Sequence, residues 1–211
     1  MSSSVTISSS DGFGLEALLD GPEAPRAGLV LCHPHPKMGG TMNAPLLVAL
    51  TGELASRGWA VLRFNFRGIG ASEGEHGLGI DEVADASGAV AHMRALHDVP
   101  VAIAGWSFGG AVAVRAASED GSIAAVATIA PAVTAKPGIT AGLPDPDGLS
   151  LSAPLLVVCG ANDELVDPRD AEEWTRAAGG RFVEMKGANH FFWAKYETLA
   201  ELVADFLDEV V

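Results

Sequence analysis

Residues 104–112 read A-G-W-S-F-G-G-A-V. The stretch joins two kinds of chain. Upstream, 101–105 is a run of small and β-branched apolar residues that reads as a buried strand; downstream, G-G-A-V-A-V-R-A-A reads as a helix of small residues able to pack closely on a sheet. At the joint stands Ser107, between Gly105 and Gly109. A serine on a strained strand-to-helix turn, with glycines on both sides where backbones pass closely, has its hydroxyl exposed at the top of a sheet. The G-x-S-x-G pattern alone is weak: 25 Gly and 14 Ser in 211 residues give roughly 0.2 chance matches. A second match, G-A-S-E-G around Ser72, is present. Context separates the two, because Ser72 follows F-N-F-R-G-I-G and precedes E-G-E-H-G, a polar glycine-rich loop with no helix opening at the serine. Ser72 reads as a turn residue.

Outward from this joint, short apolar runs alternate with longer helical patterns, the signature of βαβ units. Strands are predicted at 13–19, 28–32, 60–66, 101–106, 123–130, 155–160 and 181–185, and helices near 43–57, 79–97, 109–118, 168–177 and 191–209. In the last helix Phe192, Tyr196, Leu199, Val203, Phe206 and Val210 recur at steps of four and three and share one face. The expected fold class is therefore α/β, a mostly parallel central sheet with helices on both faces, in one domain spanning 1–211. Residues 1–12 are expected to be a flexible or edge-strand N-terminus. The stretch 132–152, with Pro137, Pro144 and Pro146, shows neither period and reads as a surface loop, too short for a multi-helix cap.

Composition excludes several function classes. Thirteen basic against 27 acidic residues leave a net charge of −14, which repels phosphate backbones and anionic lipid surfaces, so neither nucleic acid nor membrane is an expected partner. The first residues, M-S-S-S-V-T-I-S-S-S, have no charged start and no continuous apolar core of a signal peptide, and no apolar stretch approaches membrane-spanning length. A cytoplasmic location is the expectation. Cys32 and Cys159 each lie in a strand-like apolar run without metal spacing and read as buried small hydrophobes. The oligomeric state is left open, a homo-oligomer included.

A serine hydroxyl is a poor nucleophile at neutral pH and needs a base, which in turn needs an orienting group. Of six histidines, His190 in K-G-A-N-H-F-F lies just past the last strand and before the last helix, where a loop carries it to the carboxyl edge of the sheet. His76, His92 and His97 lack that address and read as surface residues. The acid candidate is Asp163 in C-G-A-N-D-E-L-V-D-P, at the end of the apolar run 155–160; Glu164 and Asp167 differ from it only by position. Serine, acid and histidine then occur in the order 107, 163, 190, each at the end of a separate strand.

Five stretches, L-C-H-P-H-P-K-M-G-G-T-M-N, F-N-F-R-G-I-G-A-S-E-G, G-W-S-F-G-G, G-A-N-D-E-L-V and G-A-N-H-F-F, make the chain resemble the α/β-hydrolases over about residues 13–207. It is most similar to the small cap-less hydrolases akin to dienelactone hydrolase, with a His-Pro-His-Pro loop. The resemblance implies Ser107 as nucleophile, Asp163 as acid and His190 as base. Serine stands where dienelactone hydrolase has cysteine, so the lactone substrate is not carried over. Acyl transfer also needs donors for the developing oxyanion. The Phe108 N–H is one; by register with the family's H-G-x-P loops the second is the His35 N–H, since Pro34 and Pro36 have none. His33 reads as a loop-bracing residue. His33 and His35 alone are too few ligands for zinc, so no metal and no cofactor is expected.

The resulting expectation is a carboxylesterase-like serine hydrolase acting on a small ester or thioester, with a peptidase or amidase, or a silent binding domain of the same fold, as alternatives. Without a cap the site is expected to be open and shallow, walled by Met38, Trp106, Phe191 and Trp193. Each buried methylene contributes roughly 0.8 kcal/mol, so kcat/KM is expected to peak at acyl chains of about two to six carbons.

Overall fold

The computed structural model describes residues 2–211. Eight strands form one sheet: β1 (Ser3–Ser8), β2 (Gly14–Asp20), β3 (Ala27–Cys32), β4 (Trp59–Phe64), β5 (Val101–Trp106), β6 (Val126–Ile129), β7 (Leu155–Gly160) and β8 (Arg181–Met185). Their spatial order is β1-β2-β4-β3-β5-β6-β7-β8. β1 and β2, and β2 and β4, pair antiparallel; every other neighbour is parallel, with Gly28–Cys32 of β3 opposite Val101–Gly105 of β5. Parallel strands covered on both faces are apolar throughout, and β3, β4, β5, β6 and β7 are buried at every position.

Five helices cover the sheet: α1 (Pro45–Ser56), α2 (Glu82–Leu96), α3 (Phe108–Glu119), α4 (Pro168–Ala177) and α5 (Tyr196–Val210). Side chains alternate along each strand between two cores. Leu29, Leu31, Trp59 and Val61 face α1 and α5, while Val30, Cys32, Leu62 and Phe64 face α2, α3 and α4. The predicted mostly parallel α/β sheet is what the chain forms, and between β6 and β7 there is no cap, only a loop with a 3-10 turn at Pro146–Gly148. No helix among the described residues is long and apolar enough to cross a membrane. Both cysteines are free and buried, and burial pushes the Cys159 thiol up to about 12.

The serine-rich start forms the edge strand β1, because Val5 and Ile7 alternate with polar residues and turn inward against β2. The last helix begins at Tyr196 rather than 191, because Phe192 and Ala194 hold φ of 51° and 58°. Such a conformation costs about 1–3 kcal/mol in a non-glycine residue. Full burial of the Phe192 ring, worth about 1.5–3 kcal/mol, offsets it.

Arg67 locks the edge hairpin to the loop after β4. Its guanidinium donates to Asp85 at 2.8 and 3.0 Å and to Asp11 at 2.9 and 3.0 Å, with Arg67 and Asp85 side chains 4% and 0% exposed. Removing one member of a buried pair strands the other charge and costs about 3–5 kcal/mol. Arg67→Met is therefore expected to lower the thermal midpoint by about 10 °C for a chain of this size, measured by calorimetry, against no more than a few degrees for Arg176→Met on the surface.

Candidate active site

The joint between β5 and α3 carries the site. Ser107 holds φ 55° and ψ −114°, a strained geometry for a residue with a side chain, and its N–H donates to Ile129 O at 2.8 Å. The flanking glycines are steric requirements. A Cβ on Gly105 would collide with the Gly109 carbonyl, and one on Gly109 with the Cys32 and His33 carbonyls. The helix therefore crosses both its own strand and β3 at backbone contact, and the serine is driven out at the carboxyl edge.

Two loops from the same edge meet it. The loop after β7 brings Asp163, whose side chain is fully buried, and the loop after β8 brings His190. His190 Nδ1 lies 2.8 Å from Asp163 Oδ2, and His190 Nε2 lies 3.2 Å from Ser107 Oγ. The other Asp163 oxygen accepts the Leu165 and Val166 N–H groups at 2.8 and 2.9 Å, which fixes the carboxylate and aims Oδ2 at the imidazole. A carboxylate can only accept, so Nδ1 carries the proton and Nε2 is left free to accept from the serine. Asp167 is occupied elsewhere: it caps α4 through Arg169 N and pairs with the Arg169 guanidinium. Ser72 is buried, donating to Asn65 O and accepting from Glu16 N.

The loop after β3 supplies the opposite side. His33 is buried, accepting the Phe66 N–H at Nε2 (3.0 Å) and donating from Nδ1 to Pro34 O (2.7 Å). Burial pushes this imidazole down to about 4 and keeps it neutral, and it ties the loop after β3 to the loop after β4. Gly40 turns back so closely on Pro34 O that no Cβ could fit. Among the described residues, neither the Phe108 nor the His35 N–H has a hydrogen-bond partner.

These groups open on a cleft of about 670 Å³ lined by His35, Met38, Trp106, Ser107, Phe108, His190 and Phe191. The cleft also has a wall that the sequence reading did not give it, because 132–143 folds against it. Pro137 and Gly138 (φ 72°) occupy the middle of a tight turn closed by Ile139 N to Lys136 O at 2.9 Å. Arg115 of α3 then holds the Ala141 and Gly142 carbonyls, and Val133, Lys136, Ile139 and Thr140 face the cleft. Apart from the closure of the turn itself, these contacts are not local in sequence. Leu165 and Val166 line the far side.

Trp193 does not line the cleft. Phe192 takes the buried position, so its neighbours turn outward: Phe191 reaches the rim, and Trp193, 65% exposed, stacks on it at 5.1 Å and 14°. His76 is not a surface residue. Its side chain is 6% exposed, between the Phe108 and His35 rings and 2.8 Å from Glu82 Oε1. His92 and His97 are half-buried and away from the cleft. Trp106 has a task that sequence reasoning missed: its Nε1–H donates to His190 O at 3.2 Å and steadies the histidine loop.

Comparison with known proteins agrees with this architecture. The family model described as serine aminopeptidase, S33, matches residues 23–149. A protein of Rickettsia prowazekii, itself uncharacterised, is 31% identical over 207 residues, 92% of this chain and 83% of that protein. An α/β serine hydrolase without lid from Xanthomonas campestris is similar at a TM-score of 0.86 and 27% identity, over 99% of this chain and 94% of its own. An α/β serine hydrolase homologue from Coxiella burnetii is similar at a TM-score of 0.82 and 28% identity, over 97% of each chain.

Proposed function

We infer the reaction from what the chain is: it belongs to the S33 serine aminopeptidase family and is an α/β-hydrolase-fold serine hydrolase without a cap. We propose that it cleaves a small carboxylic ester or thioester through an acyl-enzyme on Ser107. The observation that carries this reading is the continuous chain of hydrogen bonds from Asp163 through His190 to Ser107 at the floor of a largely apolar cleft.

In the proposed mechanism His190 Nε2 takes the Ser107 proton as Oγ attacks the carbonyl carbon. The oxyanion is received by the Phe108 and His35 N–H groups. His190 then protonates the leaving alcohol or thiol, and the acyl group remains on Oγ. Water, deprotonated by the same nitrogen, attacks the acyl carbon, and the serine leaves with the proton returned from His190. Asp163 stays ionised throughout and compensates the imidazolium that forms twice.

An aminopeptidase reading must place an acidic group where a substrate ammonium would sit. The cleft's acids are Asp167, already paired with Arg169, and the exposed Asp170, while Met38, Val133, Ile139, Leu165, Val166 and Phe191 supply apolar walls. The ester reading is favoured on that ground. Rapid quenching of a p-nitrophenyl acetate reaction, followed by peptide mass spectrometry, is expected to find an acetyl group on Ser107. Faster turnover of alanine p-nitroanilide than of p-nitrophenyl butyrate would reverse the choice.

The wall built by 132–143 also moves the acyl-length expectation. A chain lying along Val133 and Ile139 gains about 0.8 kcal/mol, or roughly fourfold in kcat/KM, for each methylene it buries. The optimum is expected at the upper end of the short range, about six carbons, with no activation at a lipid interface. A steady rise through dodecanoate would contradict it.

A further inference from the structure

The His35 side chain does something that its backbone role does not require. Its Nδ1 accepts the Lys37 N–H at 3.1 Å, so Nε2 carries the proton and donates to Ile139 O at 3.0 Å, a contact spanning 104 residues. The ring is buried, packed on Phe108 at 5.1 Å and facing His76 at 5.2 Å, with Glu82 and Lys37 as the charged groups around it. Burial lowers its proton affinity, which keeps the neutral form that both hydrogen bonds need.

Ile139 belongs to the turn 136–140, which is bonded internally by Lys136 N to Thr140 O and by Ile139 N and Thr140 N to Lys136 O. Among the described residues, the hydrogen bond from His35 is the one that ties this turn to a residue distant in sequence; the other bond leaving it, from Gly142 N to Thr140 Oγ1, reaches only two residues along the chain. The next anchors, Arg115 to Ala141 O and Gly142 O and Ala141 N to Leu78 O, lie beyond it. Both Ile139 and His35 line the cleft.

We propose that the His35 imidazole is a positioning residue for substrate size: it latches the 136–140 turn across the cleft and so sets the wall against which an acyl chain packs, while its Nδ1 separately shapes the loop that presents the His35 N–H. The proposal rests on the reading of Ser107 as nucleophile for its catalytic consequence, though not for the latch itself.

Two variants separate the two bonds. Asn at position 35 can still cap Lys37 N–H but cannot reach Ile139 O; Ala loses both. In His35→Asn the hexanoate-to-acetate ratio of kcat/KM on p-nitrophenyl esters is expected to fall about fifteenfold, through a higher KM for hexanoate, because roughly two methylenes lose their wall. His35→Ala is expected to lower kcat on both esters as well. Hydrogen exchange is read in a Ser107→Ala background, where the Ile139 and Thr140 amides are expected to exchange about tenfold faster once His35→Asn is added. An unchanged ratio, or unchanged exchange at 139 and 140, overturns the latch. Absence of any Ser107-dependent ester hydrolysis would instead remove the catalytic reading, and the exchange result would still judge the latch.

Discussion

Ser107→Ala is expected to lower kcat/KM for a p-nitrophenyl ester by about 10⁴-fold or more while leaving the thermal midpoint nearly unchanged. The loss is large because the hydroxyl is the bond-forming atom in the proposed reaction, and what remains is binding and the two backbone donors. The fold survives because the strain at φ 55° comes from the tight passage of Gly105 and Gly109 past neighbouring carbonyls, which alanine leaves in place. Ser107 also contributes its N–H to Ile129 O and its carbonyl to Gly110, Ala111 and Ala132, all of which alanine retains. A fluorophosphonate probe should label Ser107 and spare Ser72, whose hydroxyl is buried between Asn65 O and Glu16 N. An adduct mapped to Ser72, or an alanine variant that keeps a tenth or so of the activity, would remove the proposed mechanism.

The parts of this architecture that were legible in the sequence are those where one residue type is compelled by local geometry. Gly105 and Gly109 had to be glycine, and the apolar run before them with the small-residue run after them marked strand, turn and helix. Asp163 and His190 could be found because each lies in the loop that follows a short strand whose end must emerge at the same edge of a parallel sheet. What the pattern does not carry is contact between distant loops. The stretch 132–152 reads only as a surface loop, and nothing in it says that K-P-G-I-T will turn at 136–140 or that His35 will hold that turn over the cleft. His76 looks like any polar loop residue until tertiary packing closes Phe108, His35 and Glu82 around it. The start of α5 was missed for a related reason: the periodicity of Phe192 is satisfied by burial in a left-handed turn instead of a helix. In the sequence only position separates Asp163 from Asp167; in the fold their hydrogen bonds do.

That separation sets up the second large effect. In Asp163→Asn the amide oxygen can still accept the Leu165 and Val166 N–H groups, which holds the side chain where the carboxylate was. Its NH₂ then faces His190 Nδ1 at the 2.8 Å position, and a donor there requires Nδ1 to be an acceptor. The proton of the neutral imidazole moves to Nε2, the nitrogen that must take the Ser107 proton 3.2 Å away. The base is lost with little change in structure, and the imidazolium of the transition state no longer has a negative charge beside it. We expect kcat to fall about 10⁴-fold, the magnitude seen when the same exchange is made in a serine protease triad, with KM within about threefold. Asp167→Asn tests the alternative acid directly: it breaks an exposed pairing with Arg169 and leaves α4 capped by the amide oxygen, so turnover should stay near that of the unaltered chain. If Asp167→Asn were the crippling change and Asp163→Asn nearly silent, the hydrogen bonds around His190 would not be those that catalysis uses, and the proposed relay would fail at its acid.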